Sequence, residues 1–428
     1  MSAQDYLRTG VASETMSTDE PPFRFVSIAL PAILPTLAFS IGEGAIIPII
    51  PIVAHNLGAQ LAVAGLIAAM ITVGQLFGDV PSGWIISRIG ERASMIYAAL
   101  LSIVGLALAM LSPNAWVLGF AIFLIGLATA VFGLARHAFM TSFVPVAFRA
   151  RALSILGGSF RLGLFIGPFL AAAVIHLTGS TSSAFWVHVA GCLVAALLLV
   201  FLRDPEATFR PRLAASGQRE GEILLERESH GLFQTIVKNR GVLARLGSGA
   251  LLVGALRASR QVLVPLWAVS IGISDANTAL IIGIAGALDF ALFYTTGQIM
   301  DRWGRMWTAL PSMIGLGLGQ LVLAFTHDLS ANSAWFIGIT MALGVANGFG
   351  TGLLMTLGAD LADKKDPAPF LGAWRFTSDA GGAAAPLAIS GITALVSLSF
   401  ASGVMGILGL VGAGILWRYL PRYVPRRR

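Results

Sequence analysis

The chain has 428 residues, of which 56% are hydrophobic and only 11% are charged, and its formal net charge is +7. Soluble globular domains carry about 25% charged residues, so this composition excludes that class. The mean hydropathy of +0.81 and the recurring apolar runs, long enough to cross a bilayer, instead predict an all-α polytopic membrane protein. The alternating pattern of outer-membrane β-barrels is absent from the sequence.

The first 24 residues are polar and of mixed charge. They lack the short apolar core and the small-residue cleavage site of a secretory signal peptide, so we predict a disordered cytoplasmic N-terminal tail at 1–24. Twelve transmembrane helices are predicted after it, at residues 25–53, 61–87, 94–111, 116–141, 150–177, 184–202, 241–271, 276–299, 306–326, 334–359, 367–396 and 400–420.

These spans fall into two groups of six. Residues 25–202 are predicted to form an N-terminal six-helix bundle, and residues 241–420 a C-terminal one. The polar segment 203–240 between them reads as a cytoplasmic linker with an amphipathic helix near the membrane face. Residues 421–428 form a basic cytoplasmic tail.

The loops between the spans divide by charge. One set contains no lysine or arginine, at 55–60, 112–116, 178–186, 273–278, 327–335 and 397–399. The other set carries Arg88, Arg92, Arg149, Arg151, Arg302, Arg305, Lys364 and Lys365. Basic loops face the cytoplasm, so we predict that both termini are cytoplasmic. Arginine far outnumbers lysine, and alanine and glycine are abundant, which favours a GC-rich bacterial source and the cytoplasmic (inner) membrane.

The positions of the basic residues also account for the positive net charge, so we expect no nucleic-acid partner. The single cysteine, Cys192, lies inside an apolar run. One cysteine excludes an internal disulfide and a cysteine-based metal site. We therefore expect no metal and no cofactor.

An internal repeat relates the two bundles. A shift of 214 residues places Gly83 on Gly297, Arg88 on Arg302, Gly90 on Gly304, Pro51 on Pro265, Gly158 on Gly372 and Arg161 on Arg375. A single offset that aligns the first, second and fifth spans of each half indicates a duplicated six-span unit. Two such halves are a transporter architecture, with the substrate site between them near the middle of the membrane.

The stretch GQIMDRWGR at 297–305 resembles the signature loop of the major facilitator superfamily, G-x-x-x-D-R-x-G-R-[RK]. The matching residues are Gly297, Asp301, Arg302, Gly304 and Arg305, with Met306 in place of the last basic residue. An earlier copy of this loop lies at 83–92 and matches the motif at Gly83, Arg88, Gly90 and Arg92. Ser87 replaces the aspartate of the motif, and Glu91 replaces the arginine that follows the second glycine. The resemblance covers essentially the whole chain and implies two pseudo-symmetric six-helix bundles.

In that family the loop implies a gate on the cytoplasmic side. Glycines let helix ends approach closely, and the acid and bases form charge-assisted bonds to neighbouring helix ends. Such bonds hold one conformation and break in the other. The alternative is that the charges only set the topology. We favour the gate for the copy at 297–305 and leave both interpretations open for the first copy, where Ser87 removes the acid.

A second signature, G-x-x-x-G-P, is present in the fifth span as Gly163, Gly167 and Pro168. It is similar to the motif of proton-coupled exporters and implies export, although the two final glycines of the longer form are replaced by Ala171 and Ala172. Small residues four apart also serve tight helix packing. The family's fourth-span arginine is not clearly present, since its usual place is Ile122. Arg136 lies further along, where we expect it to snorkel at the cytoplasmic mouth.

Ionisable residues inside spans are functional candidates by default. In this chain they are Glu43, Asp79, Arg136, Arg161, Arg257, Arg260, Asp289, Arg375 and Asp379. The 214-residue shift places Glu43 on Arg257, so we expect these two to face each other across the cavity. Asp289 is expected to pair statically with Arg257 or Arg260, and Asp379 to form a similar pair.

Asp79 and Glu43 are the best candidates for carrying protons. A carboxyl group in a low-dielectric cavity binds a proton readily, and an approaching arginine releases it. The alternative for each is a static salt bridge that locks helices together.

The sequence thus predicts a proton-driven exporter of small amphipathic compounds, resembling the twelve-span drug/proton antiporter branch of the superfamily. We expect a monomer in the lipid bilayer whose substrate site opens alternately to the two sides of the membrane. Its expected partners are protons and a small-molecule substrate. No Walker-type loop occurs, so ATP is not the direct energy source.

One alternative is uptake of an organic anion or sugar, which the intramembrane arginines favour. A non-transporting sensor or scaffold is a further alternative. An enzyme is not expected, because no HExxH or GxSxG motif occurs.

Overall fold

The computed structural model describes residues 25–144, 146–201, 232–362 and 368–424. All regular secondary structure in these ranges is helical, which confirms the all-α class. The predicted N-terminal tail, residues 203–231 of the predicted linker, Lys364, Lys365 and the last four residues of the basic tail lie outside the described residues.

The first half contains six predicted spans in seven helices. They are α1 (Phe25–Ile46), α2 (Ile50–Asn56), α3 (Leu61–Ile89), α4 (Glu91–Met110), α5 (Ala115–Phe143), α6 (Val146–Thr178) and α7 (Ala184–Phe201). Helices α1 and α2 form one span. The chain leaves the α1 helix at Ile46, and α2 restarts with a proline in its first turn, where the missing proline N–H would be unpaired in any case.

The second half begins with a short helix, α8 (Leu232–Lys238). Helical turns at Arg240–Val242 and Leu243–Gly247 lead into the next helix without a break. The remaining helices are α9 (Ser248–Ser270), α10 (Asp275–Trp303), α11 (Met306–Leu323), α12 (Asn332–Phe349), α13 (Leu353–Leu361), α14 (Ala368–Leu395) and α15 (Leu398–Tyr423). Helices α12 and α13 form one span, broken where Gly352 adopts a φ of +76°.

Eleven of the twelve predicted spans are long and apolar enough, within the described ranges, to cross a membrane. Helix α14 is not among these eleven, although its 28 residues exceed the length of a bilayer crossing. It packs mainly against α9 and α3, in the interior between the halves. Arg375 and Asp379 and its many small residues lower its hydropathy, and an interior position tolerates such a composition.

The halves meet along two pairs of helices, α3 with α14 and α6 with α10. These are the second and fifth spans of each half, so the contacts follow the repeat. We call the end of the molecule that holds Gly90 and Gly304 the motif end, and the other end the opposite end.

Contacts at the opposite end join the two halves directly. The Asp275 carboxylate accepts hydrogen bonds from Thr181 Oγ1 and, at 3.3 Å, from Asn56 Nδ2. Ser390 Oγ donates to the Ala62 carbonyl at 2.6 Å. At the motif end, by contrast, a Cβ built on Gly83 or on Gly297 would meet no atom within 4 Å. The halves are therefore closely joined at the opposite end and loosely packed around these two glycines.

Candidate functional site

A cavity of about 270 Å³ lies in the first half, where α1, α3, α5 and α6 meet α14 of the second half. We call it the carboxyl cavity. Its charged lining residues are Glu43, Asp79, Arg136, Arg375 and Asp379. Five of the nine intramembrane ionisable residues found in the sequence thus come together in one place, with three carboxyl groups against two guanidinium groups.

Glu43 is the most buried of these carboxyl groups, with 3% of its surface exposed. Its Oε2 atom has no hydrogen-bond partner among the described residues. A buried ionised carboxylate without partners is costly, so this group is suited to exchanging its charge.

Arg136 shares the cavity with Glu43, and the expectation that it snorkels at the mouth of the transporter was wrong. It is 9% exposed, and its guanidinium lies 4.1 Å from the centre of the Phe160 ring. Helix α5 continues for two further turns, to Phe143, which leaves Arg136 in the interior. A cation over an aromatic face is stabilised without a carboxylate partner.

Asp379 and Arg375 lie one turn apart on α14, with Nε of the arginine 3.4 Å from Oδ2 of the aspartate. Asp379 thus has an arginine as its ion-pair partner. Both side chains line the carboxyl cavity together with Asp79 of α3. The second half therefore contributes a guanidinium and a carboxyl group to a cavity that otherwise belongs to the first half.

The remaining four intramembrane ionisable residues gather on the other side of the interface. We call this group, Arg161, Arg257, Arg260 and Asp289, the arginine cluster. The structure brings Asp289 together with Arg260, one of its two expected partners, at 3.6 Å. Asn347 Nδ2 donates to Asp289 at 2.5 Å, and Thr351 Oγ1 donates to it at 3.4 Å. The single carboxylate of the cluster is thus already well partnered.

Arg161 comes from the first half but reaches into this cluster. Its Nη1 donates to Thr351 Oγ1 at 3.0 Å, and its guanidinium lies 5.0 Å from the centre of the Phe293 ring. Arg161 and Arg375 are equivalent in the repeat. Each of them crosses the interface into the polar group of the other half.

Glu43 and Arg257 do not face each other, contrary to the expectation from the repeat. Glu43 lines the carboxyl cavity, whereas Arg257 belongs to the arginine cluster and donates a hydrogen bond from Nη2 to the Gly350 carbonyl. Equivalent positions of a two-fold repeat meet only when they lie close to its axis. Arg257 instead bonds a carbonyl of its own half, and Glu43 lies in a cavity lined mainly by the first half.

The two signature loops share a backbone feature. Gly90 ends α3 with a φ of +84°, and Gly304 ends α10 with a φ of +94°, a region that glycine enters at little cost. Gly83 and Gly297 were expected to allow close helix approach, and in this conformation they do not. Each has open space around a built Cβ.

In the first loop the basic side chains bond locally. Arg92 donates from Nε to the Leu199 carbonyl at 2.6 Å and from Nη2 to the Val200 carbonyl at 3.1 Å. These carbonyls belong to the last turn of α7, where a cation is favoured by unpaired carbonyl groups. Arg88 lies 4.7 Å from the centre of the Trp84 ring.

In the second loop Arg305 is the central residue. It donates to Asp360 at 2.9 Å and to Asp301 at 3.3 Å. The hydrogen bond to Asp360 is the main reason why the pKa of Arg305 is raised above its usual value. Asp301 is 80% exposed, and Arg302 is exposed as well. The bonds of both loops run within their own halves.

The fifth-span motif packs directly against the first span. A Cβ on Gly167 would lie 2.4 Å from both Ala45 N and Ile41 O, and one on Gly163 would lie 2.0 Å from Ser40 Oγ. Pro168 lies inside α6. The motif therefore has a definite packing role, whatever it adds to transport.

Sequence reasoning missed several polar partners. Thr351, Asn347 and Asp360 complete the networks around Asp289 and Arg305, and Asp275 joins the halves at the opposite end. Asn347 had one available signal, since an amide inside an apolar span requires a partner. Asp360 lies 55 residues from Arg305, and no pattern in the sequence relates the two.

Comparison with known proteins identifies the family. A family model of the Major Facilitator Superfamily matches residues 33–386, and a second match covers 261–428. The chain belongs to the major facilitator superfamily. Members of this superfamily are multi-pass membrane transporters, are not enzymes and need no cofactor.

Its relatives are distant. The chain is 28% identical over 167 residues to probable anion transporter 5 of Arabidopsis thaliana. This alignment covers 39% of this chain and 39% of that protein. The match thus spans well under half of that relative. The chain is 23% identical over 306 residues to the class B tetracycline resistance protein of Escherichia coli, covering 69% of this chain and 72% of that protein.

The fold has solved counterparts. The crystal structure of a D-xylose–proton symporter aligns with a TM-score of 0.71 at 16% identity and covers 94% of this chain and 99% of that one. This likeness establishes the architecture of two six-span halves.

Proposed function

We propose that this transporter is a proton-coupled exporter of small amphipathic compounds. The observation that carries the proposal is the carboxyl cavity, in which Glu43 is buried beside Arg136 without a hydrogen-bond partner for Oε2. The similarity of Gly163, Gly167 and Pro168 to the exporter motif and the relative named for tetracycline resistance support the direction of transport.

The proton step uses the carboxyl groups of Glu43 and Asp79. Removal from water favours the uncharged form of a carboxyl group, and a nearby guanidinium favours the charged form. Arg375 enters the cavity from the second half, so rocking of the halves changes its distance from Asp79. A proton taken up when the arginine is distant is released when the arginine approaches.

The structure fits the conformation that is open toward the motif end. Asn56, Thr181 and Asp275 join the halves at the opposite end, whereas the motif end has open space around Gly83 and Gly297. By the distribution of basic residues, we assign the motif end and both termini to the cytoplasm of a bacterial inner membrane. The bonds of Arg92 and Arg305 then stiffen each half at its cytoplasmic end.

A reconstituted system tests the proposal. Purified protein is placed in liposomes that contain a pH-sensitive dye, and gradients of ethidium, tetracycline or salicylate are imposed in turn. For an exporter, at least one gradient drives protons in the direction opposite to the compound. Glu43→Gln and Asp79→Asn should abolish this movement, and the control Asp328→Asn, whose side chain is 99% exposed, should retain it.

Two results would contradict the proposal: no proton movement with any compound at verified reconstitution, or an unchanged response in both carboxyl variants. A second candidate function is proton-coupled uptake of an organic anion, which the arginine cluster favours. Protons moving in the same direction as the compound would identify uptake.

A further inference from the structure

We infer that the arginine cluster is the substrate-binding site and that its substrate is a small organic anion, with a carboxylate held by Arg257 and Arg260 and an apolar body. The inference rests on the proposed function as a transporter, and it names the substrate class that the transporter carries.

The first argument is charge. The cluster contains three guanidinium groups, Arg161, Arg257 and Arg260, and a single carboxylate, Asp289, which leaves an excess of two positive charges. Isolated charges inside a membrane protein are expensive unless they are paired. An anionic substrate supplies the missing counter-charge.

The second argument is that the protein does not use all the hydrogen-bond donors. Arg257 bonds the neutral Gly350 carbonyl, and Arg260 lies 3.6 Å from Asp289. The buried Nε atoms of both arginines have no partner among the described residues. Asp289 is already occupied by Asn347, Thr351 and Arg260. The unused donors belong to planar guanidinium forks, which match the two oxygens of a carboxylate.

The third argument concerns the rest of the substrate. Aromatic side chains from both halves lie within one helical turn of cluster residues on α6 and α10. Phe165 of α6 stacks on Phe290 of α10 with ring centres 5.7 Å apart, and Phe293 lies under Arg161. A purely inorganic anion would not use this apolar surface, whereas an organic anion would bury its body there.

The cluster is also placed to couple binding to movement. Arg161 and Phe165 belong to the first half, and Arg257, Asp289 and Phe290 belong to the second. A substrate that contacts both sets is held between the halves, while the proton-carrying groups occupy the separate carboxyl cavity. Substrate and proton therefore have different sites, and each site contains one arginine from the other half, Arg161 in the arginine cluster and Arg375 in the carboxyl cavity.

Direct binding tests the inference on the full chain in lipid nanodiscs at constant pH. The probe is salicylate, an aromatic carboxylate, measured by titration calorimetry. Inorganic phosphate and tetraphenylphosphonium serve as a compact oxyanion and an apolar cation. The variants are Arg257→Gln and Arg260→Gln, and the control is Arg422→Gln, an exposed arginine near Tyr419. Thermal unfolding establishes that each variant is folded.

We expect wild type to bind salicylate in preference to both other probes. Loss of one buried charge-assisted partner should raise the Kd of salicylate at least about tenfold, while the control keeps the wild-type Kd. If a glutamine variant does not fold, the Kd of salicylate is measured on Arg257→Lys instead. This variant retains the positive charge but loses the planar guanidinium fork. Its affinity should also be lower than that of wild type.

Three outcomes overturn the inference: an unchanged Kd in the folded variants, equal affinity for inorganic phosphate, or binding of tetraphenylphosphonium that depends on Arg257. The binding assay needs no proton gradient, so it separates this inference from the proposed proton coupling. If only the coupling is wrong, salicylate binding still depends on Arg257, while transport does not respond to a proton gradient.

Discussion

Nη1 of Arg161 in α6 donates a 3.0 Å hydrogen bond to Oγ1 of Thr351, at the break between α12 and α13. This bond joins the first half of the transporter to the second. Thr351 is 3% exposed and also donates to Asp289. Arg375, the repeat equivalent of Arg161, crosses in the opposite direction into the carboxyl cavity, so each polar group contains an arginine from the other half.

The link predicts that Arg161 and Thr351 act as one unit. Arg161→Gln and Thr351→Val each remove the bond, and each should slow transport by about ten- to a hundredfold, since a hydrogen bond to a charged group contributes about 1.5–3 kcal/mol. The double variant should be no slower than the slower single variant. Initial rates of uptake into proteoliposomes give the double-mutant cycle. Additive losses would show that the two side chains act independently.

We predict that the Glu43 carboxyl group binds and releases the coupled proton and is not needed for substrate binding. Glu43→Gln keeps the shape of the side chain but removes its ability to exchange a proton. Transport driven by a pH gradient should be lost, whereas exchange of labelled substrate across vesicles without a gradient should continue. The variant should also unfold at an equal or higher temperature than wild type, because a buried carboxyl group with an unpartnered oxygen is replaced by a neutral amide.

Asp328→Asn is the matched control for this experiment, since it makes the same kind of change at an exposed loop position. Loss of both gradient-driven transport and exchange in Glu43→Gln would assign Glu43 to substrate binding or to structure instead.

The architecture was predictable from sequence, and the partners inside the site were not. Span length and apolarity determine the helices, and the 214-residue repeat relates the halves, because both are properties of continuous sequence. Which charge faces which depends on helix rotation and on distance from the repeat axis. The expected meeting of Glu43 with Arg257 failed for that reason, and the position of Arg136 depended on how far α5 continues.

The packing of α6 on α1 predicts a stability difference between two glycines of the same helix. A methyl group on Gly167 would lie 2.4 Å from the backbone of α1, whereas one on Gly157 would meet no atom within 4 Å. Gly167→Ala should destabilise the protein by about 1–3 kcal/mol, the usual cost of overpacking. Gly157→Ala should leave stability unchanged or slightly higher, because alanine favours the helix. Thermal unfolding in detergent compares the two, and equal midpoints would mean that α1 and α6 are not in close contact.

The second signature loop gives a prediction that separates its two acids. The family resemblance emphasises Asp301, but in this structure Asp360 is the nearer partner of Arg305, at 2.9 Å against 3.3 Å, and Asp301 is largely exposed. Exposed ion pairs contribute little. Asp360→Asn should therefore slow transport more than Asp301→Asn, and Arg305→Gln should slow it at least as much as Asp360→Asn.

The pH dependence of this pair follows from the raised pKa of Arg305. A raised pKa means that the contribution of the pair is complete below the ordinary pKa of arginine and is lost only as the pH rises through the folded value. The ranking of the variants should therefore be the same at about pH 6 and pH 8, where arginine stays charged. Initial transport rates at the two pH values, normalised to protein in the vesicles, measure it. A larger loss in Asp301→Asn would contradict this ranking. It would mean that the main bond between Asp301 and Arg305 forms in the other conformation of the transport cycle, so that Arg305 exchanges Asp360 for Asp301 as the halves move.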